Sequence, residues 1–571
     1  MAMKRISAIL SCIFLLLIAG HKTAAQEQYN ALIIPVEFQD LKLTTPAETL
    51  DSLAGQLSAY FNSQFFGTRE FVFDVCGTVP LNYNYSYYGA NATYKRDALV
   101  NRMAVGVYRA IYDKVDFERY DNSGDGFVRD IIFLTPGRAE SSGGGEDQFW
   151  PQYVELDDKD IPGGLKIRLK AFAVASELDS TGAVTGIGVI AHEFGHVLGL
   201  KDLYDADGPS SGGLCPDLGH TSLMSLGLEN DEGRTPPNLN AIEHEMLGTG
   251  ICEVLDSCGV FSLESIEQKG RYLKLSTTTP DIYYLLENRS GLGRDSFIGG
   301  DGLLIYRVNR STLPAGYSTY YRRTLKALER WNYNQVNCNP EFPCAEIVAA
   351  VSDSSDFSKV FWPQHERTVF NPGPLALTDI RRTAGGDICF ELKEPVHVDG
   401  VSVFQSSAIV AWTVSDGLGP VDSCMVEWKV QDSFTGKAEG VRNANGRYSL
   451  TIKGLVPRTT YNYTISVYFA DGSQFSAGGS FTTRIYRSGI FRFIYTGDAP
   501  RNRNGSFRSG SSIPLVVFNS MDEEIVWTFN GMRVSPGSDG LWKIPGNGIL
   551  KAEITNADGS KDIIIKELRI E

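Results

Sequence analysis

Long apolar runs alternate with periodic stretches in the first part of the chain, and this pattern predicts strands separated by a helix. Residues 31–38 are an almost unbroken apolar run of strand length, and further runs predict strands at 131–134 and 165–178. Between them a helix is predicted over about residues 95–113, because four apolar residues recur there at helical spacing: Leu99, Met103, Val107 and Ile111.

A second helix is predicted over residues 187–198, where most positions are apolar, and Gly199 is suited to ending it. Strand signals then dominate from about residue 253, and the chain from Pro395 onward looks all-β. We therefore expect four folded domains with these bounds: 26–252 (mixed α+β), 253–394 (a β-rich companion of the first), 395–484 and 485–571 (both β-sandwiches).

The first 25 residues have the composition of a signal peptide. Lys4 and Arg5 precede the apolar stretch 6–20, and small residues follow at the expected cleavage point. Lipidation at Cys12 is the less favoured alternative, because most of the apolar stretch comes after that residue. The sequence thus predicts an exported protein that is secreted, periplasmic or held at the cell surface.

Composition and charge narrow the function classes. Of the 571 residues 42% are hydrophobic and 21% charged, which is typical of a folded chain and excludes a mostly disordered one. A formal net charge of −15 argues against nucleic-acid binding and suits solubility outside the cell. Export permits disulfides, and we favour two pairs that are close in sequence: Cys252 with Cys258, and Cys338 with Cys344.

The most specific chemical signal is a His-Glu-x-x-His motif on the second predicted helix. His192 and His196 are four residues apart, so both imidazoles lie on one helix face and can bind one ion. Catalytic zinc takes imidazole ligands and keeps a position for water, which Glu193 is placed to hold. The alternative is a solvated helix with two incidental histidines, but the helix is otherwise mostly apolar, and burying these groups without a partner is costly.

The third zinc ligand is expected just beyond this helix. Asp202 follows Gly199 by three residues, and a sharp turn at the glycine can bring its carboxylate back to the same ion. Met224 is a candidate for a methionine-containing turn beneath the site. Several other ligands stay open on the sequence alone: Asp205, Asp207, His220, Glu243, His244 and Glu245.

Five segments carry a resemblance to one family: 189–205 (VIAHEFGHVLGLKDLYD), 222–227 (SLMSLG), 115–126 (VDFERYDNSGDG), 284–289 (YLLENR) and 302–306 (GLLIY). Over roughly residues 28–394 the chain resembles the immune inhibitor A family of secreted bacterial zinc metallopeptidases. The resemblance implies a metzincin-like α+β zinc peptidase domain followed by a β-rich domain. It also implies zinc on His192, His196 and Asp202, with Glu193 as the general base.

The resemblance implies an endopeptidase that acts on extracellular proteins or glycoproteins. Glu193 would take the proton of the attacking water and pass it to the leaving amine, and Tyr204 is a weaker candidate for binding the oxyanion. The alternative is a secreted adhesin or binding protein on a peptidase fold with little turnover, against which the intact Glu193 argues. Three positions depart from the family pattern without touching the zinc helix: Gln152, Lys201 and Arg307.

A calcium site is predicted in the loop that precedes residues 131–134. The candidate ligands are the side chains of Asp121, Ser123, Asp125 and Asp130 and the carbonyl of Phe127. Position 12 of this loop is Ile132 instead of the usual Glu, so Asp130 is expected to substitute for it. The alternative is an ordinary turn rich in Asn, Asp and Gly.

The C-terminal part resembles small β-sandwich modules. Residues 398–484 carry an L-x-P-x-T-x-Y pattern that ends at Tyr461, together with Trp412 in an early strand, and both are typical of fibronectin type III modules. Asn530 and Gly531 predict a hairpin in a second, Ig-like sandwich. We expect these modules to act as spacers, or to contact a cell surface or glycan, in a monomeric protein.

Overall fold

The computed structural model describes residues 27–93, 95–353, 355–364, 367–431, 433–443, 446–470, 472–484, 492–520, 523–556 and 561–571. The expected signal peptide and Cys12 lie outside these ranges. The chain divides into two compact units, of which unit 1 is Met1–Phe370 with Leu377–Leu392 and unit 2 is Asn371–Ala376 with Lys393–Glu571. Within the described ranges, no helix combines the length and apolarity needed to cross a bilayer.

The central sheet of unit 1 contains these strands: β1 (Glu27–Glu37), β2 (Arg69–Val75), β3 (Ile131–Arg138), β4 (Gln152–Glu155) and β5 (Ala171–Leu178). Their spatial order is β2-β1-β3-β5-β4, and the short strand Val79–Pro80 also pairs with β1. The first four strands in this order are parallel, whereas β4 is an antiparallel edge strand. Parallel strands are buried on both faces, which explains why β1 reads as a continuous apolar run.

Helices cover both faces of this sheet. They are α1 (Ala47–Gln64), α2 (Val100–Ile111) and α3 (Ile187–Leu198), with the short helix Tyr85–Gly89 beside them. Alternate residues of β1 point to opposite faces, so Ile33 joins the core shared with α1 and α3 whereas Ile34 joins the core under α2. The expected helices over 95–113 and 187–198 are confirmed, the first as the shorter α2 and the second with the bounds predicted.

The rest of unit 1 is mostly β structure. One sheet has the order Ala345–Ile347, Gly302–Asn309, Ile282–Arg289, Arg271–Ser276 and Ile251–Val254, and a second has the order Gly259–Leu263, Ile388–Lys393 and Ala376–Arg382. Pro314–Ser318 and Arg323–Lys326 form a hairpin, and three helices complete the unit: α4 (Ala241–Leu247), the short helix Ile266–Lys269 and α5 (Ala327–Asn332). Phe194 of α3 and Tyr306 of this β region belong to one hydrophobic cluster, so the core is continuous.

Unit 2 contains two groups of sheets. The first pairs two four-stranded sheets built from Val396–Val403, Ser407–Val414, Val421–Val430, Ser433–Glu439, Val441–Arg442, Tyr448–Lys453, Thr460–Phe469 and Gln474–Thr482. Trp412 and Tyr461 are buried in it, and the Tyr461 hydroxyl accepts a hydrogen bond from the Val456 N–H at 2.9 Å, as in a tyrosine corner. The expected architecture, in which an α+β region is followed by a β-rich region and then by all-β modules, is confirmed.

The second group in unit 2 contains Phe493–Tyr495, Ser512–Pro514, Val516–Phe518, Glu524–Phe529, Met532–Arg533, Leu541–Lys543, Gly548–Thr555 and Lys561–Leu568. Four of these strands form one sheet in the order Met532–Arg533, Glu524–Phe529, Gly548–Thr555 and Lys561–Leu568. The hairpin predicted at Asn530 is present, with positive φ angles of 48° at Asn530 and 84° at Gly531. Trp527 and Trp542 pack into the core of this module.

The two disulfides favoured from sequence spacing are absent from the structure, which has all eight described cysteines as free thiols. Cys338 and Cys344 are both fully buried but meet different surroundings. The backbone N–H groups of Ala206 and Asp207 approach the sulfur of Cys338, whereas the sulfur of Cys344 lies 3.8 Å from the Phe342 carbonyl. Burial raises the pKa of both thiols to about 12, so they are protonated and unreactive at neutral pH.

Candidate active site

The end of α3 turns the chain back toward the two histidines. Gly199 has a φ of 108°, a left-handed conformation that residues with a Cβ rarely adopt, and its N–H bonds the His196 carbonyl at 3.0 Å. The Leu200 N–H bonds the Gly195 carbonyl at 2.9 Å and closes the turn. This local geometry explains why Asp202 returns to the helix face that carries both imidazoles.

His192, His196 and Asp202 meet at one point. Asp202 Oδ1 lies 3.3 Å from His192 Nε2 and 3.2 Å from His196 Nε2. All three side chains are nearly buried, with exposed fractions of 9% for Asp202, 5% for His192 and 11% for His196. The three ligand atoms all lie within 4.8 Å of one another. The structure thus brings together the two histidines and the aspartate that the sequence favoured.

The donor set fits a cation. His192 Nδ1 lies 3.0 Å from the Leu223 carbonyl, and His196 Nδ1 lies 3.0 Å from the Leu200 carbonyl. A carbonyl can only accept, so each Nδ1 carries a proton, and each Nε2 presents a lone pair when its imidazole is neutral. Asp202 Oδ1 is buried and accepts no well-formed hydrogen bond, although it is within ion-pair distance of both imidazoles. Three electron-pair donors therefore face one another, an arrangement that a metal ion satisfies.

The charges of the site favour a cation as well. Burial raises the pKa of Asp202, but the two imidazoles outweigh it and hold that pKa far below its usual value. Burial lowers the pKa of His192, but Asp202 and Glu193 together raise it to about 9. The cluster thus concentrates negative charge that a proton or a metal ion must balance, and a metal that binds here must displace any proton from the imidazole.

Glu193 lies beside the cluster and is also buried. Burial raises the pKa of its carboxyl group, and the neighbouring imidazoles partly oppose this shift. The backbone N–H of Tyr153 on β4 also bonds this carboxylate, and the Tyr153 ring centroid lies 6.3 Å from that of His196. The edge strand of the central sheet therefore borders the site.

Met224 lies beneath α3, as expected, and is fully buried. A Cβ at Gly195 would lie only 3.0 Å from the Met224 sulfur, so the glycine lets the helix approach this turn closely. Glu243 accepts hydrogen bonds from the Met224 N–H at 2.9 Å and the Ser222 hydroxyl at 2.7 Å. Glu243, which sequence reasoning left open as a metal ligand, thus holds the methionine turn.

The other alternative ligands have partners of their own. His220 bonds Asn230 and His244 bonds Thr249, while Glu245 bonds Lys274 and Tyr283. Asp205 and Asp207 accept hydrogen bonds from the Cys215 N–H and the Ser211 hydroxyl, and form a separate group with Cys338. Of the remaining candidates near the cluster, Tyr204 has its ring centroid 6.2 Å from that of His192.

Two polar residues that sequence reasoning missed support the site from beyond residue 253. Asn334 bonds both the main chain and the carboxylate of Asp202. Arg289 is fully buried and bonds the Thr221 carbonyl at 3.1 Å, one residue before Ser222. Arg289 stands in the segment 284–289, whose family resemblance was a signal for it, whereas nothing in the sequence marked Asn334.

The acidic side chains among the predicted calcium ligands have other partners in the structure. The Asp121 carboxylate accepts the N–H groups of Asp125 and Gly126, and Asp125 forms an ion pair with Arg129 at 2.7 Å. Asp130 is buried and accepts hydrogen bonds from Tyr29 at 2.7 Å and Asn122 at 2.8 Å. Among the described residues, the acidic groups of this loop form no set of three with closely spaced ligand atoms, so calcium stays a prediction.

Gln152 and Arg307, two of the three positions that depart from the family pattern, make contacts of their own. Gln152 donates a hydrogen bond to Asp97 at 2.5 Å, and Arg307 forms an ion pair with Glu346 at 3.0 Å. Each side chain therefore has a structural partner in this protein. Lys201, the third departure, lies in the turn immediately before Asp202.

Comparison with known proteins gives a consistent result for the first part of the chain. Residues 19–248 match the immune inhibitor A peptidase M6 catalytic domain. The pre-pro-metalloprotease PrtV of Vibrio cholerae serotype O1, from strains M66-2 and ATCC 39315, is 25% identical over 278 residues, which is 43% of this chain and 29% of the relative. The chain therefore spans less than a third of the length of these relatives.

Solved structures similar to parts of this chain include fibronectin type III modules. The fibronectin(III)-like modules of Clostridium thermocellum CbhA are 14% identical and cover 31% of this chain and 94% of their own, with a TM-score of 0.14. The fibronectin type III domain of the human KIAA0970 protein is 11% identical and covers 17% of this chain and 77% of its own, with a TM-score of 0.13.

Proposed function

Because residues 19–248 belong to the immune inhibitor A family of peptidases, we propose that this protein is an exported zinc-dependent endopeptidase that hydrolyses extracellular proteins. The observation that carries the proposal is the convergence of His192, His196 and Asp202 with the Asp202 Oδ1 atom buried and without a hydrogen bond. Two neutral imidazoles and one carboxylate are a donor set suited to catalytic zinc.

Zinc held by these three residues would supply a water of lowered pKa and positive charge opposite the developing oxyanion. Glu193 takes a proton from the attacking water and delivers it to the leaving amine. Its burial suits this role, because a raised pKa brings the carboxyl group closer to the pH at which a proton shuttle is most efficient. Tyr204, whose ring lies beside that of His192, is a second candidate for contact with the substrate oxygen.

The edge strand β4 gives the substrate a place to bind. It pairs with β5 on one side only, and the Tyr153 N–H reaches Glu193, so the outer edge of β4 faces the site. An extended peptide that adds to this edge would lie with its backbone across the zinc cluster. This geometry favours unfolded or loop segments of protein substrates. To the sandwich modules we assign only a role as spacers or in surface contact.

The test is a measurement of metal content and casein hydrolysis for the wild type, Glu193→Gln and the matched control Glu48→Gln, which changes an exposed glutamate on α1. We expect one zinc in all three proteins, with hydrolysis lost only in Glu193→Gln and in chelator-treated samples. Zinc without any hydrolysis by the wild type would instead favour a binding protein on a peptidase fold. Absence of zinc from the wild type would contradict the assigned ligands.

A further inference from the structure

Asp202 is held from two sides by one residue that lies 132 positions away in the sequence. The Asp202 N–H donates to Asn334 Oδ1 at 2.7 Å, and Asn334 Nδ2 donates to Asp202 Oδ2 at 2.6 Å. The amide therefore binds both the main chain and one carboxylate oxygen. The other oxygen, Oδ1, is left facing the imidazoles of His192 and His196.

The backbone at Asn334 restricts which residues can do this. Its φ is 55°, in the left-handed region that glycine favours and that asparagine tolerates better than most other residues. It lies just after α5, and its N–H bonds the Trp331 carbonyl at 3.4 Å. Glycine would suit this backbone but has no side-chain amide. A glycine variant can therefore separate the backbone conformation from the hydrogen bonds to Asp202.

The loop that carries Asn334 is itself attached to the segment after Asp202. Asn337 donates to the Leu203 carbonyl at 3.2 Å and also bonds both backbone groups of Ala345. Asn339 donates to the Ser211 carbonyl at 2.9 Å. These contacts fix the loop against residues 203–211, so the position of the Asn334 amide relative to Asp202 is determined by several independent bonds.

We propose that Asn334 is the positioning residue for the third metal ligand, holding Asp202 so that Oδ1 faces the ion site. This inference rests on the proposed zinc function of the cluster. Residues that orient metal ligands through hydrogen bonds typically change metal affinity or activity 10–100-fold when they are replaced. We expect Asn334→Gly to weaken zinc affinity by roughly 10–100-fold while the backbone of the loop is retained.

The experiment compares the full-length wild type, Asn334→Gly and the control Asn530→Gly. Asn530 also has a positive φ and accepts a hydrogen bond, from the Ile549 N–H at 2.8 Å, but it lies in unit 2. Zinc dissociation constants are measured by competition with a chromophoric chelator, and the visible spectrum of the cobalt-substituted proteins reports the ligand geometry. Thermal unfolding of the metal-free proteins shows whether each variant is folded.

A second arm places Asn334→Gly in an Asp202→Ala background. If Asn334 acts through the Asp202 carboxylate, its replacement should change zinc affinity little once that carboxylate is gone. Equal zinc affinity and an equal cobalt spectrum for the wild type and Asn334→Gly would overturn the inference and leave the peptidase proposal intact. Failure of the wild type to bind zinc would overturn the proposed function itself, so the two failures are distinguishable.

Discussion

Replacing Arg289 with methionine should destabilise unit 1 more than replacing any partly exposed arginine in it. Arg289 is fully buried and donates to Asp295 at 2.8 and 2.6 Å and to Glu287 at 3.0 Å. It also donates to the carbonyls of Thr221 at 3.1 Å and Asn238 at 3.2 Å. Methionine fills part of the same volume but leaves two buried carboxylates without their cation.

The expected loss in the free energy of unfolding follows from these contacts. Removing one partner of a buried ion pair costs about 3–5 kcal/mol, because the remaining charge stays buried without compensation. Arg307 on the neighbouring strand is the matched control, since it forms one ion pair with Glu346 and both side chains are about one-third exposed, at 31% and 35%. Arg307→Met should cost only about 0–1 kcal/mol.

The assay is chemical denaturation at constant pH, with hydrogen exchange of peptides from residues 282–309 to follow unit 1 separately from unit 2. Burial raises the pKa of Glu287, and the Arg289 charge opposes that rise. Without the arginine, folded Glu287 should retain a proton that the unfolded chain releases, so the variant should gain stability as the pH falls. The deficit of Arg289→Met should therefore shrink between pH 8 and pH 5.

Two results would refute this reasoning. If Arg289→Met and Arg307→Met have equal free energies of unfolding, the buried network contributes no more than a surface ion pair. If the deficit of Arg289→Met is the same at pH 8 and pH 5, its cause is lost packing and not an uncompensated carboxylate. A double variant with Glu287→Gln should recover part of the loss, because it removes one of the two charges.

Two further predictions concern residues around the methionine turn. Burial lowers the pKa of His244 to about 3 and raises that of Glu243 to about 7. His244 therefore stabilises the fold above pH about 6.5 and loses this effect as the pH falls toward 3, whereas Glu243 stabilises it below about 4.5 and loses this effect as the pH rises to 7. The free energy of unfolding should be measured from pH 4 to 7. It should fall with rising pH in His244→Phe, which keeps Glu243, and rise with pH in Glu243→Gln, which keeps His244. Identical slopes in the two variants would contradict these assignments. Gly188→Ala should lower the melting temperature more than Gly195→Ala. A Cβ at residue 188 would lie 2.0 Å from the rigid Leu228 carbonyl oxygen, whereas a Cβ at residue 195 would meet the flexible Met224 side chain at 3.0 Å. The reverse order would show that the backbone at Leu228 can move.

The elements that sequence reasoning predicted well are those whose local pattern and burial agree. β1 and β3 are buried on both faces and read as apolar runs, and α3 has both an apolar composition and a terminal glycine. Helix α1 was missed, although its buried residues Leu50, Leu53, Leu57 and Phe61 recur at helical spacing. The spacing of these four residues was sufficient to predict the helix from the sequence.

The metal-ligand cluster could be predicted from the sequence because its residues are close together in the chain. His192, His196 and Asp202 lie within eleven residues, so helix periodicity and one turn are enough to bring them together. Asn334 and Arg289 act over more than 60 residues, and only the packing of the β-rich region against the first domain brings them to the site. Contacts of that range depend on topology, which the local pattern does not encode.

The bond between Asp202 and Asn334 sets an order of events during folding. A chain that has emerged only to residue 250 already contains the His-Glu-x-x-His helix, but it lacks the amide that fixes Asp202. Closing a loop of 132 residues is slow compared with forming α3, since non-local contacts must overcome the entropy of the intervening chain. The hydrogen bonds that orient Asp202 are thus among the last contacts of unit 1 to form, because they require the β-rich region to have folded.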